Sequence, residues 1–261
     1  MEFKSKNPFL SNKSFTKTAT TAYDADGRPV DIIDYNNTMT VNGSINKSFI
    51  LLFLLLTGAF VTWYMIINGS NPIIPMAAGG ILGFIAVLVA SFKPQYSSYL
   101  APAYAVFEGL FIGGISALFE TMYPGIVVQA VAGTFVTFAV CFALYRFKVV
   151  QVTEKFKSVV IAATLAIATY YIISMLAAWI FNFEMVGRSV TDASPMSIGI
   201  SVFVIVIAAL NLFLDFDLIE QGSKRRMPKY MEWFSAMGLM VTLVWLYVEF
   251  LRLLAKISSR D

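Results

Sequence analysis

Residues 208–222 read AALNLFLDFDLIEQG, an apolar stretch interrupted by Asn211, Asp215 and Asp217. A charge at membrane depth costs about 2.5 to 3.5 kcal/mol even on lenient insertion scales, so a carboxylate there is expected to face a bundle interior, a cavity or an ion path. At about 100° per residue Asp215 and Asp217 point to roughly opposite sides of a helix, while Asn211 and Asp215, four apart, share a face. Asp215 with Asn211 is therefore the expected inward pair. Asp217, followed by Glu220, Lys224, Arg225 and Arg226, has the simpler alternative of an ion-paired interfacial acid. Two further acids stand in apolar surroundings. Glu108 lies mid-way along a third apolar run, beside Gly109, Gly113 and Gly114, and helix packing explains those glycines but not the acid. Glu249 stands in TLVWLYVEFLRLLAK, where Arg252, three residues on, offers a local ion pair. Asp215, Glu249, Asn211, Glu108 and Asp217 are the candidate gating and ion-path residues.

The elements that must position them follow from composition. Of 261 residues, 58% are hydrophobic and 13% charged, too apolar for an ordinary soluble chain, which makes this a polytopic membrane protein. The chain has no histidine, which excludes the usual zinc motifs, a Ser-His-Asp triad and a histidine pH switch. Proton sensing must fall to carboxylates. The single cysteine, Cys141, permits no intrachain disulfide and reads as an isolated buried thiol. Basic residues scattered over several loops without interleaved aromatics argue against nucleic acid as a partner. The glycines at 79, 80 and 83 lie in an apolar span and form no nucleotide loop, and no enzyme or cofactor is expected.

Residues 1–47 are polar and read as a largely flexible tail, dispensable to about residue 38, with too few apolar residues in MTVNGSINK to predict an amphipathic helix. Residues 48–261 then form the membrane domain. Seven apolar runs, near 49–67, 73–91, 99–118, 126–145, 158–181, 197–219 and 233–256, each approach the roughly 20 residues a helix needs to cross a bilayer. Lys and Arg concentrate in the tail and in the second-to-third, fourth-to-fifth and sixth-to-seventh loops, while the opposite loops hold only Arg188. That bias predicts a cytoplasmic amino terminus and, with seven spans, an external carboxyl terminus. Arg252, Lys256 and Arg260 run against it.

The stretches NPFL, MTVNGSINKS, APAYAVFEGLFIGGIS, YPGIVVQAV, ALYR, AALNLFLDFDLIEQG and PKYMEWFSAMGLMVTLVWLYVEFLRLLAKI, spread over nearly the whole chain, are together similar to the bacterial, YccA-like branch of the Bax inhibitor (transmembrane Bax inhibitor motif) family. The resemblance implies an all-α bundle of seven transmembrane helices, six around a central seventh, in a bacterial plasma (inner) membrane. It also implies a pH-sensitive calcium leak controlled by two facing acids, one on the sixth helix and one on the seventh. Asp215, four residues before Ile219, matches the first, and Glu249 in LYVEF matches the second, with Glu where the family pattern more often has Asp. Two buried carboxylates repel when both are ionised, so a facing pair shares a proton, and losing it opens oxygen ligands to a hard cation such as calcium. Depth sets a condition on this pairing. A seventh helix continuous from Trp233 carries Glu249 about 24 Å from its cytoplasmic end, against about 7.5 Å for Asp215 measured from Glu220. The acids then meet only if residues 228–240 form a separate interfacial segment. A non-conducting adaptor that binds other membrane proteins, such as a quality-control protease, is the alternative function.

Overall fold

The computed structural model describes residues 19–23, 29–33, 37–181 and 192–259. Seven helices account for nearly all of them: α1 (Val41–Ile67), α2 (Ile73–Phe92), α3 (Ser97–Met122), α4 (Ile126–Arg146), α5 (Glu154–Phe181), α6 (Pro195–Lys224) and α7 (Met231–Ser258). Every one is long and apolar enough to cross a bilayer. Local chemistry sets the boundaries. The Thr40 hydroxyl accepts the Gly43 amide at the start of α1, and the Ser194 hydroxyl accepts the Ser197 amide with Pro195 opening α6. Gly125, at φ 86°, takes the left-handed turn that starts α4, and both Glu120 oxygens accept from amides there, Gly125 N at 2.6 Å and Val127 N at 3.1 Å.

The chain folds as an all-α polytopic membrane protein with α7 at its centre. More than half of α7's most apolar window is buried, 56%, the largest share of any span, and α7 packs on α1, α3, α4 and α6. Helix α2 sits outside, packed on α3, and α5 rests chiefly on α6. The α1–α3 contact is backbone to backbone: a Cβ added at Gly109 would stand 2.2 Å from the Leu55 carbonyl oxygen, and one at Gly58 2.5 Å from that of Val106. Only glycine fits there.

Two boundaries differ from the sequence reading. Helix α1 starts at Val41, inside the stretch assigned to the tail, because Thr40 caps it and Thr38 and Met39 are held against the α6–α7 connection. Helix α7 runs unbroken from Met231, so residues 228–240 make no separate interfacial segment. Ahead of the bundle, strands β1 (Ala19–Tyr23) and β2 (Pro29–Ile33) pair antiparallel. The rest of the tail, and Arg188 of the expected outer loop, lie outside the described residues.

Candidate functional site

Asp215 sits on α6 facing α7. Its partner surface there is Gly238, whose added Cβ would lie 3.6 Å from Asp215 Oδ1, and Thr242, whose hydroxyl is beside the carboxyl. The other carboxyl oxygen, Oδ2, is enclosed and has no hydrogen-bond partner among the described residues. Nine residues separate Asp215 from the end of α6 at Lys224, about 13 Å of helix, so it lies well inside the bundle. It is deeper than the sequence reading placed it because α6 continues past Glu220 for another turn.

Glu249 does not face it. Glu249 is seven residues beyond Thr242 on a continuous α7, about 10 Å further along the axis, and belongs to the other half of that helix. Its Oε1 accepts from the Tyr171 hydroxyl of α5 at 2.9 Å and from Arg252 Nη1 at 3.4 Å. Arg252 also lies over the Tyr171 ring, 5.2 Å from its centroid. This acid is neutralised and hydrogen-bonded, 2% exposed, and held between α5 and α7. The facing pair of Asp215 and Glu249 that the resemblance implies is absent; the α7 residue opposite Asp215 is Thr242.

The remaining candidates fall in separate places. Asn211 donates to Thr164 Oγ1 of α5 at 2.8 Å and to the Ile207 carbonyl at 2.9 Å, so it ties α6 to α5 instead of joining Asp215. Asp217 accepts Lys157 Nζ of α5 at 2.8 Å and Gln221 Nε2 at 3.4 Å, the ion-paired interfacial acid. Glu108 lies on the α2 side of α3, close enough that a Cβ on Gly83 would come within 2.9 Å of its Oε2. No ion pair or hydrogen bond reaches it among the described residues. Of the five, Asp215 alone is held against the central helix without a cation.

Two buried charged groups were not among the candidates. Glu232, in the first turn of α7, is fully buried: its Oε1 accepts the Thr40 amide at 3.0 Å and the Thr40 hydroxyl at 2.9 Å, and Lys229 Nζ lies 3.3 Å away. Lys47 Nζ reaches its Oε2 at 2.8 Å. Lys256, near the far end of α7, is 1% exposed and donates to Ser201 Oγ at 2.9 Å. Glu232 stands one residue before the seventh apolar run and Lys256 ends it, so both looked like span boundaries. Among the described residues no three acidic or thiol side chains cluster in a metal-holding set.

The family model described as Bax inhibitor 1 like matches residues 7–259. The chain belongs to the Bax inhibitor family. A search of curated proteins returns no match. The match extends over the seven spans and over the residues that build the Asp215 site and the Glu232 cluster.

Proposed function

We propose that this Bax inhibitor family member is a pH-sensitive cation leak, with calcium the permeant ion, in which Asp215 is the titrating gate. The supporting observation is the enclosed, unpartnered Oδ2 of Asp215 between α6 and the central α7. A protonated carboxyl is neutral and compatible with closed packing; an ionised one at this depth calls for a cation or for separation of the helices. Oxygen ligands suit a hard ion such as calcium, and a leak needs only brief coordination by one carboxylate, the Thr242 hydroxyl and water. A gate of this kind requires no second acid opposite Asp215. It also makes the leak slow, because an ion moving past Asp215 toward the far side meets Glu249 already neutralised by Arg252, then Lys256. The amino terminus is assigned to the cytoplasm and the chain to a bacterial plasma membrane, with no enzymatic step and no bound cofactor.

Calcium entry into dye-loaded proteoliposomes across a pH series tests this. Wild type is expected to conduct with a pH-dependent rate, and Asp215→Asn, which keeps the shape but cannot titrate, to flatten the profile. Asp217→Asn is expected to leave the pH response in place. A pH profile unchanged in Asp215→Asn sinks the gate. Absence of flux in the wild type at every pH sinks the leak itself and favours the non-conducting adaptor.

A further inference from the structure

Helices α1 and α4 flank a cleft without packing on one another beyond a marginal contact, while both rest on α7 or α6. The gap holds about 640 Å³. Its floor is Leu239, Met240 and Leu243 of α7 with Phe216 of α6, and one wall is a phenylalanine face of α4. Phe138 and Phe142 stand edge-on to Phe216 at 5.6 and 5.5 Å between ring centroids, so this wall is fixed. On both flanking helices the lining extends over twelve residues, Val41 to Leu52 on α1 and Phe135 to Arg146 on α4, about 16 Å of helix. One leaflet of a bilayer has a hydrocarbon depth of about 15 Å.

The polar end of the cleft is basic. Arg146 lines its mouth in the last turn of α4, and no ion pair engages it among the described residues. The acid beside it, Glu220, is already taken, accepting from the Tyr145 hydroxyl at 2.6 Å and paired with Lys224. Asn42, in the first turn of α1, adds an amide on the opposite lip. A slot one leaflet deep, apolar to its end, with an unengaged guanidinium where a headgroup would sit, has the chemistry of a lipid seat. Water is a poor filler for such walls, and protein leaves the gap unfilled.

We propose that this cleft binds an anionic phospholipid of the leaflet at the α6–α7 connection, one acyl chain lying between α1 and α4 and the phosphate on Arg146. Guanidinium suits phosphate because it can donate two parallel hydrogen bonds. The site is separate from Asp215 and does not depend on ion conduction. The test uses full-length protein, delipidated in detergent and given equal amounts of phosphatidylglycerol and phosphatidylcholine with identical chains, with retained lipid counted by native mass spectrometry. Wild type is expected to keep one phosphatidylglycerol in preference to phosphatidylcholine. Arg146→Gln is expected to lower that occupancy about fivefold, the effect of one basic residue at an anionic surface, while Arg225→Gln, an exposed cation away from the cleft, retains it. Leu243→Trp, which fills the floor, is expected to lower retention of both lipids. Equal retention of the two lipids by wild type, or retention in Arg146→Gln equal to wild type, overturns the headgroup assignment; undiminished retention in a folded Leu243→Trp overturns the acyl seat.

Discussion

Glu232 concentrates more polar contacts than any candidate acid named from the sequence, and it joins three parts of the chain: Thr40 before α1, Lys47 on α1 and Lys229 before α7. Its carboxylate also meets the amino end of α1, where the helix dipole favours negative charge. Glu232→Gln keeps the shape but loses the charge that holds two lysines, so a loss of about 1.5 to 3 kcal/mol is expected, hydrogen bonds to charged groups being of that size. In a thermal melt of the purified protein this is a fall in Tm of roughly 3–12 °C. Gly43→Ala gives a sharper sign: alanine normally stabilises a helix by about 0.5 to 1 kcal/mol over glycine, but here its Cβ would fall 2.0 Å from Glu232 Oε1. A lower Tm is expected, and a higher one would show that Glu232 is not clamped. A separate residue-scale prediction concerns Arg252, which pairs with Glu249 in the far half of the proposed ion path. Arg252→Gln leaves Glu249 with the Tyr171 hydroxyl but no cation and, on the proposed function, is expected to raise calcium leak on the order of tenfold, since removing a nearby cation is worth about 1.4 kcal/mol or more in a low-dielectric site; an unchanged rate would place the path elsewhere. Residue types made Asp215 legible, because an acid in an apolar run is costly wherever the fold puts it. Its partner was not legible, since register between α6 and α7 depends on where α7 begins, and the run near 233–256 can be entered at more than one point. Thr242 carries no charge to mark it.

Helix α7 decides which groups can meet. It is continuous over 28 residues, about 42 Å, so its tilted or overhanging ends reach past a hydrocarbon core of about 30 Å. Its first turn therefore belongs to the end where α1 starts and α6 finishes, and its last turn, with Lys256, to the other. The seven spans were legible in the sequence, because apolar length alone marks a membrane helix. The ends were less so: α1, α3, α5 and α6 all extend beyond their apolar runs, stabilised by caps and ion pairs such as Lys157 with Asp217 that hydropathy does not register. The structure does gather Lys47, Lys93, Arg146, Lys155, Lys224 and Arg225 at one end of the bundle, the arrangement the positive-inside rule connects with the cytoplasm. Single-cysteine labelling in a Cys141→Ala background checks that orientation. Arg225→Cys, at an exposed site on the α6–α7 connection, is expected to resist a membrane-impermeant maleimide applied outside the cell and to react after permeabilisation. Efficient labelling of intact cells would invert the molecule.

At the scale of the whole molecule, the central helix is fastened at one end to the segment preceding α1. Thr38 bridges Pro228, the Met39 amide donates to the Met227 carbonyl at 2.7 Å, and the Lys229 amide donates to the Asn37 carbonyl at 3.0 Å. Met39, 2% exposed, packs with Ile219, Met227 and Met231. The composition of residues 1–47 gave no sign of this, because a three-residue strand-like contact is too short to show periodicity and its one apolar anchor is isolated among polar neighbours. The described hairpin β1–β2, by contrast, pairs with itself and makes no more than a marginal contact with any helix. Among the described residues, contacts that tie the tail to the α6–α7 connection begin at Asn37, a little before the residue 38 that composition suggests. Deleting residues 1–36 is expected to leave a monodisperse protein with wild-type Tm in detergent. Deleting residues 1–40 removes the Met39 anchor, the bridge to Pro228, the Thr40 cap and two of the hydrogen bonds to Glu232. Loss of a buried methionine costs about 2 to 5 kcal/mol and loss of a helix cap about 1 kcal/mol, so the longer deletion should melt well below the shorter one or fail to accumulate. Size-exclusion profiles and melts of the two truncations, prepared side by side, decide it: equal stability would mean that the bundle holds α7 in place without the segment before α1.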